Sequence, residues 1–244
     1  MRQDLDSHWR RWLNPGRRRP GSGRADAPAQ PRTAIERDYD RVLFSTPVRR
    51  MADKTQVFPL DRSDSVRTRL THSHEVANLA RSVGIDLVFN QGIAAGLPEA
   101  RRDVPALLAT IGLAHDLGNP PFGHQGEDAI ARWFEINRDE VLDDDPALTP
   151  AMKRDFLRFE GNAQTLRLLT KLQLINDDYG LNLTLASLAA LVKYPVASDQ
   201  TDTARVTHKK HGYFQSERAL MDEVWRETGL ASGQRHPLTW IMEA

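Results

Sequence analysis

Residues 111–127 read IGLAHDLGNPPFGHQGE. His115 and Asp116 are adjacent, Gly118 breaks the chain direction, and Asn119-Pro120-Pro121 makes a stiff turn. His124 and Glu127 follow, three residues apart. Two metal-capable side chains are thus joined through a rigid bend to a His/Glu pair. Ahead of them, Leu107, Leu108, Ile111 and Ala114 recur at helical spacing and predict a buried helix face that reaches His115 in its last turn. Asp103-Val104-Pro105 opens that helix with proline near the first turn, and Gly118 fits its stop. The partly negative end of a helix favours a bound cation. Asp116 is rotated by about 100° from His115 but, at a helix end, can still turn toward the same ion. A chain of this length can contain one His-Asp dipeptide by chance, so its meaning depends on what other segments bring to it.

Downstream, a helix from about Gln125 to Asn137 carries Ile130, Trp133 and Phe134, with His124 and Glu127 at its start. A carboxylate there is favoured by the helix N-terminus. The plainer alternative is a capping Glu127 and a turn residue His124. Residues 139–146, DEVLDDDP, read as a solvated acidic loop. Thr149-Pro150 starts a helix that carries Phe156, Phe159, Leu166, Leu169 and Leu172 inward and contains FEGNAQ (159–164). Gly161 inside a helical pattern costs about 1 kcal/mol relative to Ala and implies a packing or close-approach reason. Thr184 caps a helix over 185–194 stopped by Pro195, residues 196–215 are polar, and Ser216 starts a helix to about Thr228. In the closing RHPLTWIMEA, Thr239 looks like the start of a helix without room to form.

Upstream, Ser63 or Asp64 caps a long helix running to about Asn90, with Val76, Leu79, Ala80, Val83 and Leu87 on one face. His72 extends that face by one turn, Arg69 sits beside it, and His74, about 200° around, faces solvent. Taken alone, His72 reads equally as a packed core histidine. Residues 34–60 read as a short helix, a bend at Pro47 and an extended QVFPL. Trp9, Trp12 and Leu13 sit among charges in a short helix. The division expected is a flexible Pro/Gly/Arg-rich arm over 1–33 and one domain over 34–244. Residues 1–32 hold eight Arg against three Asp, the mark of a solvated tail or of an arm that contacts phosphates or a subunit.

Lys+Arg and Asp+Glu are both 33, so net charge gives no reason to expect nucleic acid or membrane as main partner. Cysteine is absent, which leaves His and carboxylate as the metal ligands. No apolar run approaches about 18 residues, and the N-terminus lacks an apolar signal region, so a cytoplasmic protein is expected. Strand alternation and long repeats are missing, and the expected fold class is all-α. His72, His115 and Asp116 together suit Mg²⁺, Mn²⁺ or Fe²⁺, with Zn²⁺ possible, and positions left for water and a substrate oxygen.

The order RxxH…HD resembles the HD-domain phosphohydrolase superfamily. TRLTHSHEV (68–76), HDLGNPPFGHQGE (115–127), FEGNAQ (159–164) and RHPLTWIMEA (235–244) are similar to the bacterial deoxyguanosinetriphosphate triphosphohydrolases, over roughly residues 34–244. The resemblance implies an all-helical HD fold and conversion of dGTP, or dNTPs generally, to the deoxynucleoside and inorganic triphosphate. It implies a divalent metal, Mg²⁺ or Mn²⁺ foremost, then Fe²⁺, Co²⁺ or Zn²⁺. It also implies a homo-oligomer, commonly a hexamer, with nucleotides or single-stranded DNA as effectors. Carried over, His72, His115 and Asp116 match metal ligands, and His124 and Glu127 the catalytic pair. Gln56 and Arg69 match nucleotide contacts. Asn119, Asn162, Lys193, Tyr194, Lys209 and Tyr213 are further substrate candidates, the last four being readable as surface charge and packed tyrosine. The family's fourth metal ligand is an Asp just after IMEA, where this sequence stops, so an N-terminal fragment of a longer chain is expected. The rival readings are another HD-type phosphodiesterase or nucleotidase, and a non-catalytic nucleotide- or ssDNA-binding fragment.

Overall fold

The computed structural model describes residues 2–21, 31–58, 63, 65–173 and 177–243. Among these the regular structure is helical, with three isolated β-bridges and no strand. The helices are α1 (Arg2–Trp12), α2 (Ala34–Leu43), α3 (Thr46–Arg50), α4 (Arg69–Phe89), α5 (Ala100–Ala114) and α6 (His124–Ile136). They continue as α7 (Pro150–Leu157), α8 (Gly161–Arg167), α9 (Leu185–Leu191), α10 (Arg218–Thr228) and α11 (Pro237–Glu243). None is long and apolar enough to cross a membrane.

The fold is built around α5. Every residue from Leu107 to Ala114 is buried, as expected of a helix apolar on all sides. Helices α2, α4, α9 and α11 all pack against it. The α4–α5 contact is the most extensive, and it is close because small residues meet there. A Cβ on Gly112 would lie 2.8 Å from the Ala77 Cα, and one on Gly84 would lie 2.8 Å from a Leu108 methyl.

This approach reverses part of the sequence reading of α4. Its buried face is Arg69, Ser73, Ala77, Ala80, Gly84 and Val88, whereas Leu79 is 65% and Val83 44% exposed. Small side chains, not the large apolar ones, are what the tight contact with α5 admits. The helix also starts later than expected. Thr68 caps it, accepting from the Thr71 N–H at 3.3 Å; Asp64 lies outside the described residues.

Other expectations are corrected too. Pro47, where a bend was expected, lies in the first turn of α3. The single helix expected from Thr149 breaks at Arg158, so the apolar phase resets and Phe156 and Leu172 are exposed. Residues 139–143 form a π-helical turn that buries Leu142. Helix α9 ends at Leu191, and α11 does form, Thr239 being buried within it. The stretch 196–215 is polar in composition, yet it buries Val196, Ala197, His211, Tyr213 and Phe214.

The described part of residues 1–33 is not a free arm. Trp9 and Leu13 lie in the core, and the Arg17 guanidinium pairs with buried Asp38 at 2.7 Å. The other oxygen of Asp38 accepts from the Thr184 N–H and hydroxyl and from the Ser187 hydroxyl, at 2.7–2.8 Å. One buried carboxylate thereby ties the N-terminal segment to α2 and α9.

Buried His236 links α1 to α11: its Nε2–H donates to the Trp12 carbonyl at 3.2 Å and its Nδ1 accepts from the Leu238 N–H at 3.1 Å. Burial pushes its pKa down to about 4, as it does for His211, where the charges of Arg158 and Lys210 add to the effect. Both histidines start from 6.5, so the unfolded chain binds their protons first and stability falls as pH drops from about 6.5 toward 4. Asp103, raised to about 6 chiefly by burial, works the other way and offsets part of this loss. Thermal melts should give a Tm that declines over this range, with a shallower decline in His236→Asn.

Candidate metal centre

Helix α5 delivers His115 at its C-terminus. The His115 Nδ1–H donates to the Gly112 carbonyl at 2.7 Å, which leaves Nε2 as the lone-pair nitrogen. Burial holds its pKa below the ordinary value, so the ring is a neutral ligand at pH 7. Asp116 Oδ2 accepts from Arg69 Nη1 at 2.6 Å, and Oδ1 accepts from Asn119 Nδ2 at 2.7 Å. Burial alone would raise the Asp116 pKa. The His115 and His72 rings when protonated, and Arg69 by its permanent charge and hydrogen bond, outweigh it and hold the carboxyl below its usual range.

His72 comes from α4, one turn after its start. Its ring stands edge-on to His115, with centroids 5.4 Å apart. One donor atom each from His72, His115 and Asp116 lies within 4.8 Å of the others. Two imidazole nitrogens and a carboxylate oxygen, converging from two helices, fit a divalent cation.

The turn after Asp116 is clamped from both sides. Lys54 Nζ donates to the Asn119 carbonyl at 2.7 Å and the Leu117 carbonyl at 3.3 Å. On the other side the Gly118 N–H donates to Thr165 Oγ1 at 2.9 Å, and that hydroxyl donates to the Gly161 carbonyl at 3.0 Å. The chain then passes through Phe122 and Gly123, both at positive φ (68° and 57°), and enters α6 at His124. A Cβ on Gly123 would lie 2.5 Å from Arg69 Nη2, so only the bare backbone fits over that guanidinium.

His124 Nδ1–H donates to Glu127 Oε2 at 2.6 Å. Glu127 is buried, and its second oxygen accepts the Gly161 N–H at 2.8 Å. The His124 side chain is 76% exposed and presents Nε2 outward. Gly161 is not interior to a helix, as the pattern suggested, but the first residue of α8, capped by Glu160. A Cβ there would lie 2.2 Å from Asn119 Oδ1 and 2.7 Å from Glu127 Oε1. The close approach read from its presence is therefore to both halves of the site at once.

The remaining candidates divide. Gln56 is half-buried beside the start of α4, where Thr55 bridges Thr68, and its amide oxygen has no hydrogen-bond partner. Lys193 is close enough to bear on the charges of His115 and Asp116, and burial foremost lowers its own pKa. Tyr194 is buried, with Arg235 and Lys209 over its ring at 5.6 and 6.0 Å. Asn162 donates its amide to Glu160 at 2.7 Å. Two expectations are corrected. Tyr213 is a core residue, 1% exposed with its ring edge-on to Trp225, because the KKHGYF segment turns inward there. Lys209 is exposed and meets the Tyr194 ring, not the ligand cluster.

The neighbour of Lys209 was missed. Lys210 Nζ is 3.0 Å from Glu160 and 3.9 Å from Glu127. Lys54 and Glu160 were missed as well. Glu160 precedes the glycine that the sequence singled out, while Lys54 carries no local signal because it acts through backbone carbonyls.

With this geometry in view, comparison with known proteins is informative. The family model described as HD domain matches residues 69–145, the span from Arg69 past the His124–Glu127 pair. The likeness to the HD domain thus spans both halves of the site. Over nearly its whole length the chain is related to deoxyguanosinetriphosphate triphosphohydrolase-like proteins. It is 43% identical to one of Listeria monocytogenes across 96% of this chain and 52% of the relative. It is 43% identical to one of Synechocystis across 97% and 56%, and 42% identical to a probable deoxyguanosinetriphosphate triphosphohydrolase of Pseudomonas aeruginosa across 86% and 44%. The chain spans about half the length of the curated relatives it matches.

Because Gly161 admits no side chain, Gly161→Ala should displace Asn119 or Glu127 and lower unfolding stability by about 1–3 kcal/mol. Denaturant melts check this. An unchanged midpoint would mean that α8 yields freely and does not fix the two halves.

Proposed function

We propose that this chain supplies the catalytic core of a metal-dependent phosphohydrolase that cleaves dGTP, or dNTPs more broadly, to the deoxynucleoside and inorganic triphosphate. The observation that carries the reading is the joining of a three-ligand cluster and a His/Glu pair through one glycine, Gly161. The names of the relatives support the substrate class. His72, His115 and Asp116 would hold the cation, Mg²⁺ or Mn²⁺ before Fe²⁺, Co²⁺ or Zn²⁺. The resemblance adds an Asp beyond IMEA. When bound, the cation supplies neutralisation of charge on the phosphoryl oxygens and activation of a water.

The reaction forms a bond from water oxygen to the α-phosphorus and breaks the bond from that phosphorus to the 5′-oxygen. One proton leaves the water and one reaches the 5′-oxygen. His124 presents Nε2 for a proton transfer, and Glu127 orients the ring through their hydrogen bond. Arg69 keeps Asp116 ionised and has an unpaired buried Nε. Lys193 and Lys210 supply positive charge toward a triphosphate, and Gln56 lines the entrance. Asn119 and Asn162 hold Asp116 and Glu160 in place. A cytoplasmic homo-oligomer, up to a hexamer and responsive to ssDNA, belongs to the same reading.

The test is product analysis with a chain extended to the relatives' length, dGTP and Mn²⁺. Intact inorganic triphosphate is expected. His124→Ala should lower turnover by about 10²-fold or more with metal affinity little changed. Release of orthophosphate or a nucleoside monophosphate would overturn the assignment.

A further inference from the structure

Lys54 stands behind both side-chain hydrogen bonds that hold Asp116. Asn119 Nδ2 donates to Oδ1 at 2.7 Å, and Arg69 Nη1 donates to Oδ2 at 2.6 Å. These two donors come from different segments, the turn after α5 and the first residue of α4. Lys54 reaches both. Its Nζ donates to the Asn119 carbonyl at 2.7 Å and to the Leu117 carbonyl at 3.3 Å. Its own carbonyl accepts the Arg69 N–H at 2.9 Å. Next to it, Thr55 bridges Thr68, the cap of α4. The residues around Lys54 are therefore a strap that joins the start of α4 to the turn after α5.

The surroundings of the ammonium are unusual. Lys54 is half-buried, and its Nζ meets carbonyls but no carboxylate at ion-pair distance among the described residues. Taking an ammonium out of water is costly, and neutral carbonyls offset less of that cost than a carboxylate would. What the arrangement supplies is direction. A compact ammonium with several donors draws the carbonyls of residues 117 and 119 to one point. That fixes the backbone of Asn119, and with it the amide that reaches Asp116. A neutral side chain of the same length would fill the space and leave both carbonyls unheld.

We propose that Lys54 is a positioning residue for the metal centre. Its ammonium sets Asn119, its carbonyl sets Arg69, and these two aim the Asp116 carboxylate at the point where His72 and His115 converge. This role rests on the reading of those three side chains as ligands, and extends it to a lysine that hydrogen-bonds to none of them.

The chain has no cysteine, so Lys54→Cys can be alkylated at a single place. Bromoethylamine then restores an ammonium at nearly the length of lysine, and bromopropane leaves a neutral stem of the same size. Alkylation in denaturant reaches the half-buried thiol before refolding. Lys54→Met, produced folded, is a neutral comparison that avoids this step. Without metal, the Asn119 side-chain amide protons should exchange about tenfold faster by NMR in the propyl and Lys54→Met chains than in the parent and aminoethyl chains. Mn²⁺ affinity, read from the EPR signal of the free ion, should fall about tenfold or more in the same two chains. Equal exchange in parent and Lys54→Met, or an aminoethyl chain no better than the propyl one, would overturn the proposal. So would a drop in melting temperature large enough to account for the faster exchange, since Lys54 would then brace the whole fold. If the parent takes up no Mn²⁺, the cation reading fails, while amide exchange still decides whether Lys54 holds Asp116.

Discussion

The N–H of Gly161 reaching Glu127 is the contact on which the site depends. It places the first turn of α8 against the turn that follows α5, at a distance no Cβ tolerates. From that point one path runs through Asn119 to Asp116, and another through Glu127 to His124. A helix N-terminus offers free N–H donors, and here one goes to the buried Glu127 carboxylate instead of water. Placement of two chemically different groups is thus delegated to backbone, which varies less than side-chain rotamers.

Electrostatics reinforces that geometry. Asp116 is buried, which by itself would favour the neutral acid. Arg69, one turn before His72 on α4, reverses this by pairing with it at 2.6 Å. The same helix therefore supplies one candidate ligand, His72, and the charge that keeps another, Asp116, ionised. Close packing of α4 on α5, made possible by Ala77 and Gly112, keeps both within reach. Fold and site thus rest on the same small residues.

Much of this was legible in the sequence because the chemistry is local. His115, Asp116, Asn119, His124 and Glu127 fall within thirteen residues, and the glycine at 161 announced a close approach. The face of α4 was misread because periodicity finds large apolar residues, while a tight helix pair is marked by small ones. Leu79 and Val83 followed the pattern and stayed exposed. Tyr213 was offered as a substrate candidate with a packed ring as the alternative, and Lys210 was not singled out, since nothing in KKHGYF shows which side chain turns toward Glu160. The N-terminal residues looked like a loose arm by composition, yet Arg17 is anchored by Asp38, a partner distant in sequence and invisible to local reading.

The central claim is that His72, His115 and Asp116 form one cation site with His124 beside it. Paramagnetic broadening of histidine ring resonances by substoichiometric Mn²⁺ tests it most directly. The account predicts that His72 and His115 broaden first, His124 next, and His74 and His236 least. Broadening that begins at His74, His208 or His236, or that spreads evenly over all eight histidines, would contradict it.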